Sequence, residues 1–585
     1  MFRKNTGHLQ QPLFSHVDEL PEAVRKRLER SWAETFYREF FCRLDEEAFA
    51  VLYADTPSRP NVPVNVLVSL EFLKAAFGWT DEELYDHFCF DVQVRYAVGY
   101  RNLGEGYFDL RTLYNFRQRL ARHMAETGEN LLEQAFEQVT DEQLEAFALK
   151  TGTQRMDSTL LASNIRQMGR LQVLVTVLQR VYRMLSEEDQ ARYAEVFAPY
   201  IRGHAGQYVY RLKKEEVPDH LQRIGEVMGR LLPELEADYG EAPAYRLLAR
   251  VFVEHFRQER EGLVVKPAEE LRGDILQSPD DPEATYREKK GQGHRGYVVN
   301  VAETCDPENP VQLITQVQVA PNVTDDSQLL HEALPNLKAR TALETLYTDG
   351  GYGSAENDAL LEEAGVTLVQ TGIRGRPPDP ERLHLADFQV ERDPGGTPEK
   401  VACPQGQQVA VQPSRTGKSF VAQFDGAMCE ACPLRERCPT QPRQGGAVRA
   451  LRFTWQDLRR AERRRRMREH QAQGRNLRAA VEATIRSLKN PFARGKAPVR
   501  GQFRVTCMVL GVAAVVNIRR LHRYRHARPG SDVRPPSAAT QVEQLRKKQK
   551  SALEGAVFAL KRHLRRLCSS GLAPWPRLRP YVWAT

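Results

Sequence analysis

The stretch ALETLYTDGGYGSAENDALLEEAGVTLVQTG, residues 342–372, contains the pattern that decides the fold. An extended apolar run ends at Asp349, a helix-forming segment follows, and a second extended run begins at about Val366. A strand, a helix and a strand in that order predict a crossover between two parallel strands. The acid falls at the end of the first strand. Binding sites open at such places, because an ionised side chain is costly in the middle of a sheet.

Other extended segments complete the pattern around this unit. They lie at residues 155–161, 296–303 and 311–320. Closely spaced segments predict hairpins, whereas the helix-linked pair predicts parallel strands. Residues 151–372 are therefore predicted to form an α+β or α/β layer, with a helical insertion at about 168–265.

Residues 1–150 are predicted to be helical, because apolar positions recur at three-and-four spacing through residues 15–125. One helix, 108–123, follows a candidate N-cap at Asp109 and carries arginines, Arg117 among them, around an apolar face. This helix fits a recognition helix that enters a DNA groove, and it fits an ordinary amphipathic surface helix equally well. Arg117 is the DNA-binding candidate of this region.

Charge is distributed unevenly along the 585 residues, whose net charge is +8. Residues 451–530 contain 21 Lys and Arg against 4 Asp and Glu, and residues 531–585 contain 11 against 3. The first 450 residues are therefore acidic overall. A basic carboxy-terminal quarter indicates a polyanionic partner, most commonly nucleic acid, and a basic solvated helix or tail is the alternative.

Neither a targeting segment nor a membrane span is predicted. The amino terminus has no apolar signal-peptide core. The most apolar stretch, Val505 to Ile518, is shorter than the roughly 20 residues that a bilayer crossing needs, and it predicts a buried helix. A chain of this length is expected to hold several folded units, and its cysteine usage indicates a reducing cytoplasm.

The carboxy-terminal part divides by composition. Residues 373–450 are a Pro/Gly-rich, Cys-containing insertion, predicted to be loop-rich with little core of its own. Residues 451–528 are a basic helical region that completes the core, with one long helix predicted from about Trp455 to Asn490. Residues 529–585 are predicted to be a linker and a basic helical tail, either native or a read-through addition.

Three carboxylates, far apart in the sequence, suit metal-dependent chemistry. Asp157 lies in QRMDSTLL and Asp349 in TLYTDGGYG, both extended, whereas Glu482 lies in the helical segment RNLRAAVEATIRSLKNP. Hard oxygen ligands of this kind can hold two Mg²⁺ ions, one activating the attacking water or 3′-hydroxyl and the other stabilising the leaving oxygen. The three acids therefore predict phosphoryl transfer.

The predicted helix around Glu482 places several cations near that acid. At about 100° per residue, Arg475, Arg478 and Lys489 share one face with Glu482. Arg478 and Glu482 have the four-residue spacing of a stabilising surface pair, which is the structural alternative. Such a pair does not account for Arg475 and Lys489, which are predicted to line a phosphate backbone.

These residues stand in boxes that resemble a known family. The matching groups are Asp157-Ser158-Thr159, Asp349-Gly350-Gly351-Tyr352, and Arg478 with Glu482 and Lys489. In this order they resemble the Asp-Ser/Gly-Thr/Ser, Asp-x-Gly-Tyr and Tyr-(2)-Arg-(3)-Glu-(6)-Lys boxes of the DDE transposases of bacterial insertion sequences, in particular the group numbered eleven-eighty-two. The resemblance covers about the first 525 residues. Arg475 stands in place of the tyrosine, which puts any tyrosine-specific contact there in doubt.

The resemblance implies a ribonuclease-H-like catalytic core behind a helical DNA-binding region. Asp157, Asp349 and Glu482 would be catalytic and would bind two Mg²⁺ ions, for which Mn²⁺ can substitute. The implied DNA-binding residues are Tyr352, Arg475, Arg478 and Lys489. Double-stranded DNA, as element ends and target, would be the partner of a homodimer in the bacterial cytoplasm, at the nucleoid and away from membranes.

Four cysteines lie within one short segment of the insertion. They are Cys403, Cys429, Cys432 and Cys438. Thiolates at short spacing suit tetrahedral Zn²⁺, which would stabilise such a segment, although only one pair has the two-residue gap of the common motif. Unmetallated thiols are the alternative. The remaining cysteines are predicted to be buried or incidental.

Three functions are compatible with these patterns. The first is a transposase that binds the terminal inverted repeats of a mobile element, cleaves DNA strands and transfers them. The second is a ribonuclease-H-like nuclease without strand transfer, which uses the same metals. The third is a transposase-derived DNA-binding regulator, against which the complete set of three acids argues.

Overall fold

The computed structural model describes residues 1–527 except 11–13, 55, 57, 58, 261, 374–378, 415 and 473–475. Met1–His526 form one compact unit. The predicted linker and tail at 529–585 lie outside the described residues, and so does Arg475.

The amino-terminal region is helical, as predicted. Its α-helices are α1 (Glu22–Glu29), α2 (Trp32–Glu39), α3 (Val64–Phe77), α4 (Asp81–Phe90), α5 (Val92–Ala97), α6 (Arg111–Thr127) and α7 (Leu131–Ala146). Helix α3 is central, because most of its side chains are buried. Helix α6 begins at Arg111, whose N–H donates to the carboxylate of Asp109 at 2.8 Å. The predicted apolar face of α6, Leu113, Phe116 and Leu120, is buried.

A long strand and a helical segment follow. Strand β1 (Thr153–Ala162) precedes α8 (Arg170–Met184), α9 (Glu187–Arg192), α10 (Ala194–Phe197), α11 (Ala205–Tyr210), α12 (Val217–Tyr239), α13 (Pro243–His255) and the hairpin of β2 (Phe256–Glu259) and β3 (Gly262–Val265). These helices bury an apolar cluster of their own, with Leu174, Leu178, Ile224 and Met228 at its centre. The helical content predicted for about 168–265 is therefore confirmed up to His255, whereas the last part of that range is the β2–β3 hairpin.

Strand β1 belongs to a mixed six-stranded sheet, which we call the first sheet. The remaining elements of this part are β4 (Thr285–Lys289), β5 (Gln292–Thr304), β6 (Ile314–Pro321), α14 (Asp326–Arg340), β7 (Thr345–Thr348), α15 (Ala355–Glu363) and β8 (Thr367–Gln370). Strands β1, β4 and β6 each pair antiparallel with β5, and the order continues β5-β1-β7-β8 with β7 and β8 parallel to β1. The predicted hairpins and the predicted crossover through α15 are confirmed, and α14 is an additional crossover helix.

The Cys-containing insertion forms a second sheet. Its elements are β9 (Gln389–Arg392), β10 (Pro398–Ala402), β11 (Gln408–Pro413), β12 (Ser419–Asp425), α16 (Gly426–Glu430), β13 (Gln441–Arg443) and β14 (Val448–Thr454). The six strands are antiparallel in the order β13-β14-β12-β11-β10-β9. Phe388, Val401, Phe420, Phe424, Leu451 and Phe453 form its core. The expectation of a loop-rich insertion with little core was wrong, because alternating apolar positions on short strands add up to one buried face.

Three helices complete the described chain: α17 (Trp455–Ala472), α18 (Val481–Lys489) and α19 (Gln502–Ala527). The single helix predicted over residues 455–490 is wrong, since a turn at residues 477–480 precedes α18. Helix α19 contains the apolar stretch that was predicted to be buried, and Gly511 lets it approach α3 closely, because a Cβ there would lie 3.0 Å from Ala75 Cβ. Helix α19 is long and apolar enough to span a membrane by those two criteria, but 78% of its most apolar window is buried within the protein.

Candidate active site

Two of the predicted acids belong to neighbouring parallel strands, Asp157 within β1 and Asp349 directly after β7. Strand β1 pairs with β7 up to Arg155 opposite Tyr347, and the negative charge of Asp349 acts on Asp157, so the two acids are close to each other. Strand β7 ends at Thr348, and Asp349 is the N-cap of a short 3₁₀ turn whose Gly351 N–H donates to Asp349 Oδ1 at 2.7 Å. Asp157 thus lies beside the carboxyl end of β7, and the carboxylates of Asp157 and Asp349 lie at the same end of these two strands.

The carboxylate of Asp157 is largely buried and paired with a cation. Arg478 Nη2 lies 3.0 Å from Asp157 Oδ2. Burial raises the pKa of Asp157 most strongly, the Arg478 guanidinium opposes that rise, and the negative charge of Asp349 adds to it. The net pKa is higher than that of a free aspartate, so a cation beside this side chain stabilises its charged form.

Glu482 is placed differently from the two aspartates. It lies in the first turn of α18, its side chain is 72% exposed, and Arg478 Nη1 is 4.0 Å from its carboxylate. Because α18 begins at Val481, Arg478 lies in the preceding turn and not on the predicted helix face. The expected surface pair between Arg478 and Glu482 is therefore the weaker contact, and Arg478 bridges Asp157 and Glu482.

Lys489 lies at the opposite end of α18 and reaches back to β1. Its Nζ donates to the carbonyl of Leu160 at 3.1 Å and lies 3.4 Å from Thr159 Oγ1. Burial lowers the pKa of Lys489, and the positive charge of Lys289 lowers it further. Lys489 is therefore on the same side of β1 as Asp157, and its ammonium group already has acceptors on that strand.

Two residues that were predicted to contact DNA, Tyr352 and Arg117, form hydrogen bonds within the protein instead. Tyr352 is fully buried, and its hydroxyl donates to Asn300 Oδ1 at 2.7 Å, so this side chain does not reach DNA and that expectation is corrected. Burial raises the pKa of Tyr352 well above its usual value, and nearby carboxylates reinforce the shift. Arg117 Nε donates to Glu71 at 2.8 Å and Nη2 to Asp81 at 2.6 Å, which ties α6 to its neighbouring helices.

A buried ionic network lies next to the candidate site and joins the elements that carry it. The carboxylate of Glu303, which is fully buried, accepts from Arg155 Nε at 2.6 Å, Arg520 Nη1 at 2.7 Å and Thr484 Oγ1 at 2.8 Å. Arg155 also donates to the carbonyl of Leu477 at 2.8 Å, directly before Arg478. The network joins β1, β5, α18 and α19. Sequence patterns did not indicate this network, because its members are ordinary charged residues far apart in the chain.

A fourth acid, Asp326, lies beside the predicted ones and was missed. It opens α14, and Ser158 Oγ donates to its Oδ1 at 2.7 Å. A Cβ on Gly351 would lie 2.5 Å from Asp326 Oδ2 and 2.9 Å from Asp349 Oδ1, so only glycine leaves room for both oxygens. The pair Asp325-Asp326 after a predicted strand was the available signal.

The chemistry of these donors fits a hard divalent cation, because carboxylate oxygens are its preferred ligands. Gly351, which has no side chain, leaves room for oxygens of Asp326 and Asp349 side by side, and this arrangement also fits a divalent cation. In the arrangement described, however, the Arg478 guanidinium lies between Asp157 and Glu482. Among the described residues, no group of three or more His, Cys, Asp or Glu side chains is arranged to hold a metal ion. Cation binding by all three acids therefore requires these side chains to rearrange.

The four cysteines of the insertion gather at one corner of the second sheet. All four are free thiols of intermediate exposure. Burial raises the pKa of Cys429, and the neighbouring thiols of Cys438, Cys403 and Cys432 reinforce that rise. Cys438 Sγ lies 3.2 Å from Thr440 Oγ1, and Cys429 Sγ lies 3.9 Å from Gln407 Oε1. The thiols are thus neighbours without being arranged as a finished metal centre.

A comparison with known protein families matches one part of the chain. Residues 402–522 match the model of a transposase DDE domain, which supports a DDE transposase, an enzyme that acts on DNA. The matched stretch contains Arg478, Glu482 and Lys489, whereas Asp157 and Asp349 lie before it. No curated protein matches the chain.

Proposed function

We propose that this protein is a DNA transposase that binds the terminal inverted repeats of a bacterial insertion sequence, cleaves DNA at the ends and joins the freed ends to target DNA. One observation carries the proposal: Asp349 directly follows the strand that runs parallel beside β1, its negative charge acts on Asp157, and Arg478 links Asp157 to Glu482 on a helix beside them. Phosphoryl transfer depends mostly on positioning and electrostatics, which such a cluster provides.

The catalytic core would be ribonuclease-H-like. Support comes from the first sheet, in which the antiparallel-paired strands β1, β4, β5 and β6 are followed in the chain by β7 and β8, which run parallel to β1. In this proposal, residues 1–150 bind end DNA and residues 151–372 hold the core with its helical insertion at about 168–265. Residues 373–450 are the Cys-rich insertion, and 451–528 complete the site with Glu482.

Asp157, Asp349 and Glu482 would hold two Mg²⁺ ions, or Mn²⁺ in their place. When bound, these ions activate the attacking oxygen and stabilise the leaving oxygen of a phosphodiester. Arg478 has a separate role. Its guanidinium, which pairs with Asp157 in this structure, can bind a DNA phosphate beside the carboxylates. Glu303 and its arginines keep the Arg478 turn and α18 against β1, so the acids stay in position.

DNA would lie along the basic surface that α17, α18 and α19 supply. Residues 451–530 carry 21 Lys and Arg against 4 acids, and a phosphate backbone is the partner that such an excess suits best. Arg478 and Lys489 are its candidates near the site, and Arg117 its candidate in the helical region. A homodimer that joins two element ends in the bacterial cytoplasm, at the nucleoid, completes the proposal.

A strand-transfer assay tests the function directly. The full chain is incubated in Mg²⁺ with pre-cleaved linear DNA, whose ends are copied from the sequences flanking its own coding region, and with a supercoiled plasmid. We expect integration of the ends into the plasmid. Cleavage of uncut ends without joining would favour a nuclease, and binding without either reaction would favour a regulator.

We also propose that Cys403, Cys429, Cys432 and Cys438 bind one structural Zn²⁺. Their gathering at one corner of the second sheet supports this, since soft thiolates are preferred zinc ligands. The ion would stabilise the corner where β10, α16 and the segment before β13 meet. It would have no part in the chemistry at Asp157.

A further inference from the structure

Two adjacent acids open α14, and their surroundings differ. Asp325 is the N-cap residue, its side chain is 56% exposed, and its carboxylate lies 3.7 Å from Arg287 Nη2. Asp326 turns inward instead, where Ser158 Oγ donates to its Oδ1 at 2.7 Å. Ser158 is the residue next to Asp157, so Asp326 is held at the edge of the site while Asp325 stays at the surface.

The second oxygen of Asp326 lies beside Gly351, as an oxygen of Asp349 does. Asp326 Oδ2 and Asp349 Oδ1 lie 2.5 Å and 2.9 Å from the position that a Gly351 Cβ would occupy. The two oxygens are therefore no farther apart than the sum of those distances. Two carboxylate oxygens within that distance can bind one divalent cation between them, since carboxylate oxygens are its preferred ligands.

A structural role for Asp326 is the alternative. An acid in the first turn of a helix stabilises the positive end of the helix dipole. That role would apply equally to Asp325, which lies at the same end of the same helix. It does not explain why Ser158 donates to Asp326 alone. It also does not explain why the other oxygen of Asp326 and Asp349 Oδ1 both lie beside Gly351, which has no side chain.

We propose that Asp326 is a fourth carboxylate of the site and binds a divalent cation together with Asp349. The inference rests on the proposed function, because it assigns a further ligand to the same cation-dependent centre. Ser158 donates to Oδ1 of Asp326, and Oδ2 is the oxygen that lies beside Gly351 together with Asp349 Oδ1. The site then has acids from β1, α14, α18 and the end of β7.

Binding of Mn²⁺ alone tests this assignment without relying on activity. The full chain, freed of metal with chelator, is titrated with Mn²⁺ and free Mn²⁺ is followed by electron paramagnetic resonance. Asp326→Asn should weaken Mn²⁺ binding by about tenfold or more, as losing a supporting group at a metal site commonly does. Asp325→Asn, which removes the neighbouring charge from the same helix end, should bind Mn²⁺ like wild type. Ser158→Ala should give a smaller loss than Asp326→Asn.

Thermal unfolding separates ligand loss from misfolding. In chelator, Asp326→Asn should unfold close to the wild-type temperature, because Asn keeps an oxygen that Ser158 can bind, and added Mn²⁺ should raise its unfolding temperature less than that of wild type. Wild-type Mn²⁺ affinity in Asp326→Asn, together with a loss in Asp157→Asn, would overturn the role of Asp326 alone. Equal losses in Asp325→Asn and Asp326→Asn would favour the helix-end explanation. A wild-type chain that binds no Mn²⁺ would overturn both this inference and the cation-dependent function.

Discussion

The two six-stranded sheets bury different kinds of side chain. The buried polar and charged residues of the first sheet include Gln154, Arg155, Asp157, Asn300 and Glu303. On the described strands of the second sheet, every buried side chain is apolar. Burying a polar or charged group costs free energy unless it is well paired. The first sheet therefore carries the candidate site at a cost in stability, whereas the second sheet contributes mainly an apolar core.

Two aspartates make the same comparison at the level of single residues. Asp349 ends β7 and accepts the Gly351 N–H at 2.7 Å, while Asp425 ends β12 and accepts the Met428 N–H at 3.0 Å. Both cap a short turn of helix after a strand. Asp349 has Asp157 on the adjacent parallel strand, whereas β12 lies between the antiparallel strands β11 and β14. The neighbouring strand, and not the local sequence, distinguishes a site acid from a capping acid.

Loss of one site carboxylate should have the largest effect. Asp157→Asn, Asp349→Asn and Glu482→Gln should each lower end cleavage by roughly a thousandfold, since several kcal/mol of transition-state stabilisation is lost. Binding to end DNA, measured by fluorescence anisotropy, should stay nearly intact because side-chain volume is kept. Ca²⁺ in place of Mg²⁺ should allow binding without cleavage.

Asp425→Asn is the matched control for Asp349→Asn in the second sheet. It removes a strand-end charge but keeps a side-chain oxygen that can cap the helix, so it should change stability little and leave the cleavage rate near that of wild type. Cleavage by Asp349→Asn at the wild-type rate would remove that residue from the proposed site.

The buried network of the first sheet should dominate its stability. Glu303→Ala leaves Arg155 and Arg520 without their shared acceptor and should lower the free energy of unfolding by about 3–5 kcal/mol. Urea denaturation measures this change. Glu308→Ala, which breaks an exposed pair with Lys150, is the control and should change stability little. A small effect of Glu303→Ala would mean that apolar packing holds both sheets alike.

The second sheet should depend on metal without affecting the chemistry. Native mass spectrometry of freshly prepared, reduced protein should find about one zinc per chain. Cys432→Ser should lose the zinc and destabilise the second sheet, while cleavage by folded protein persists. Cys89→Ser, in the helical region, should keep the zinc. Protein prepared without chelator that contains no zinc would identify the four cysteines as plain thiols.

The smallest effects are expected at the cations beside the first sheet. Arg478→Ala and Lys489→Ala should each lower the slope of log K on log salt for end DNA by about 0.9 if each side chain contacts one phosphate. Cleavage should fall further than binding, because a misplaced phosphate reacts poorly. The contacts of Lys489 with Thr159 and Leu160 offer a structural explanation instead. An unchanged slope and rate in Lys489→Ala would support that explanation.

Local patterns predicted several elements correctly. The strand-helix-strand unit at 342–372, the amino-terminal helices and the buried apolar helix after Gly501 follow from the spacing of apolar residues, which is a local property. The second sheet was not predicted, because its strands are short and their apolar positions form a core only once paired. The break between α17 and α18 was not predicted either, although Gly474 and Asn476, which are poor helix formers, stand just before the turn at residues 477–480 in the sequence.

The sequence by itself determined which residues can carry the chemistry: three acids in boxes that resemble one transposase family, and a basic carboxy-terminal quarter. Only the tertiary structure decided how these residues meet. It paired Arg478 chiefly with Asp157, buried Tyr352 away from DNA and brought Asp326 beside Asp349. The physical reason is that the sequence specifies the identity and order of the side chains directly. Charge pairing, burial and close approach depend instead on which strands and helices become neighbours.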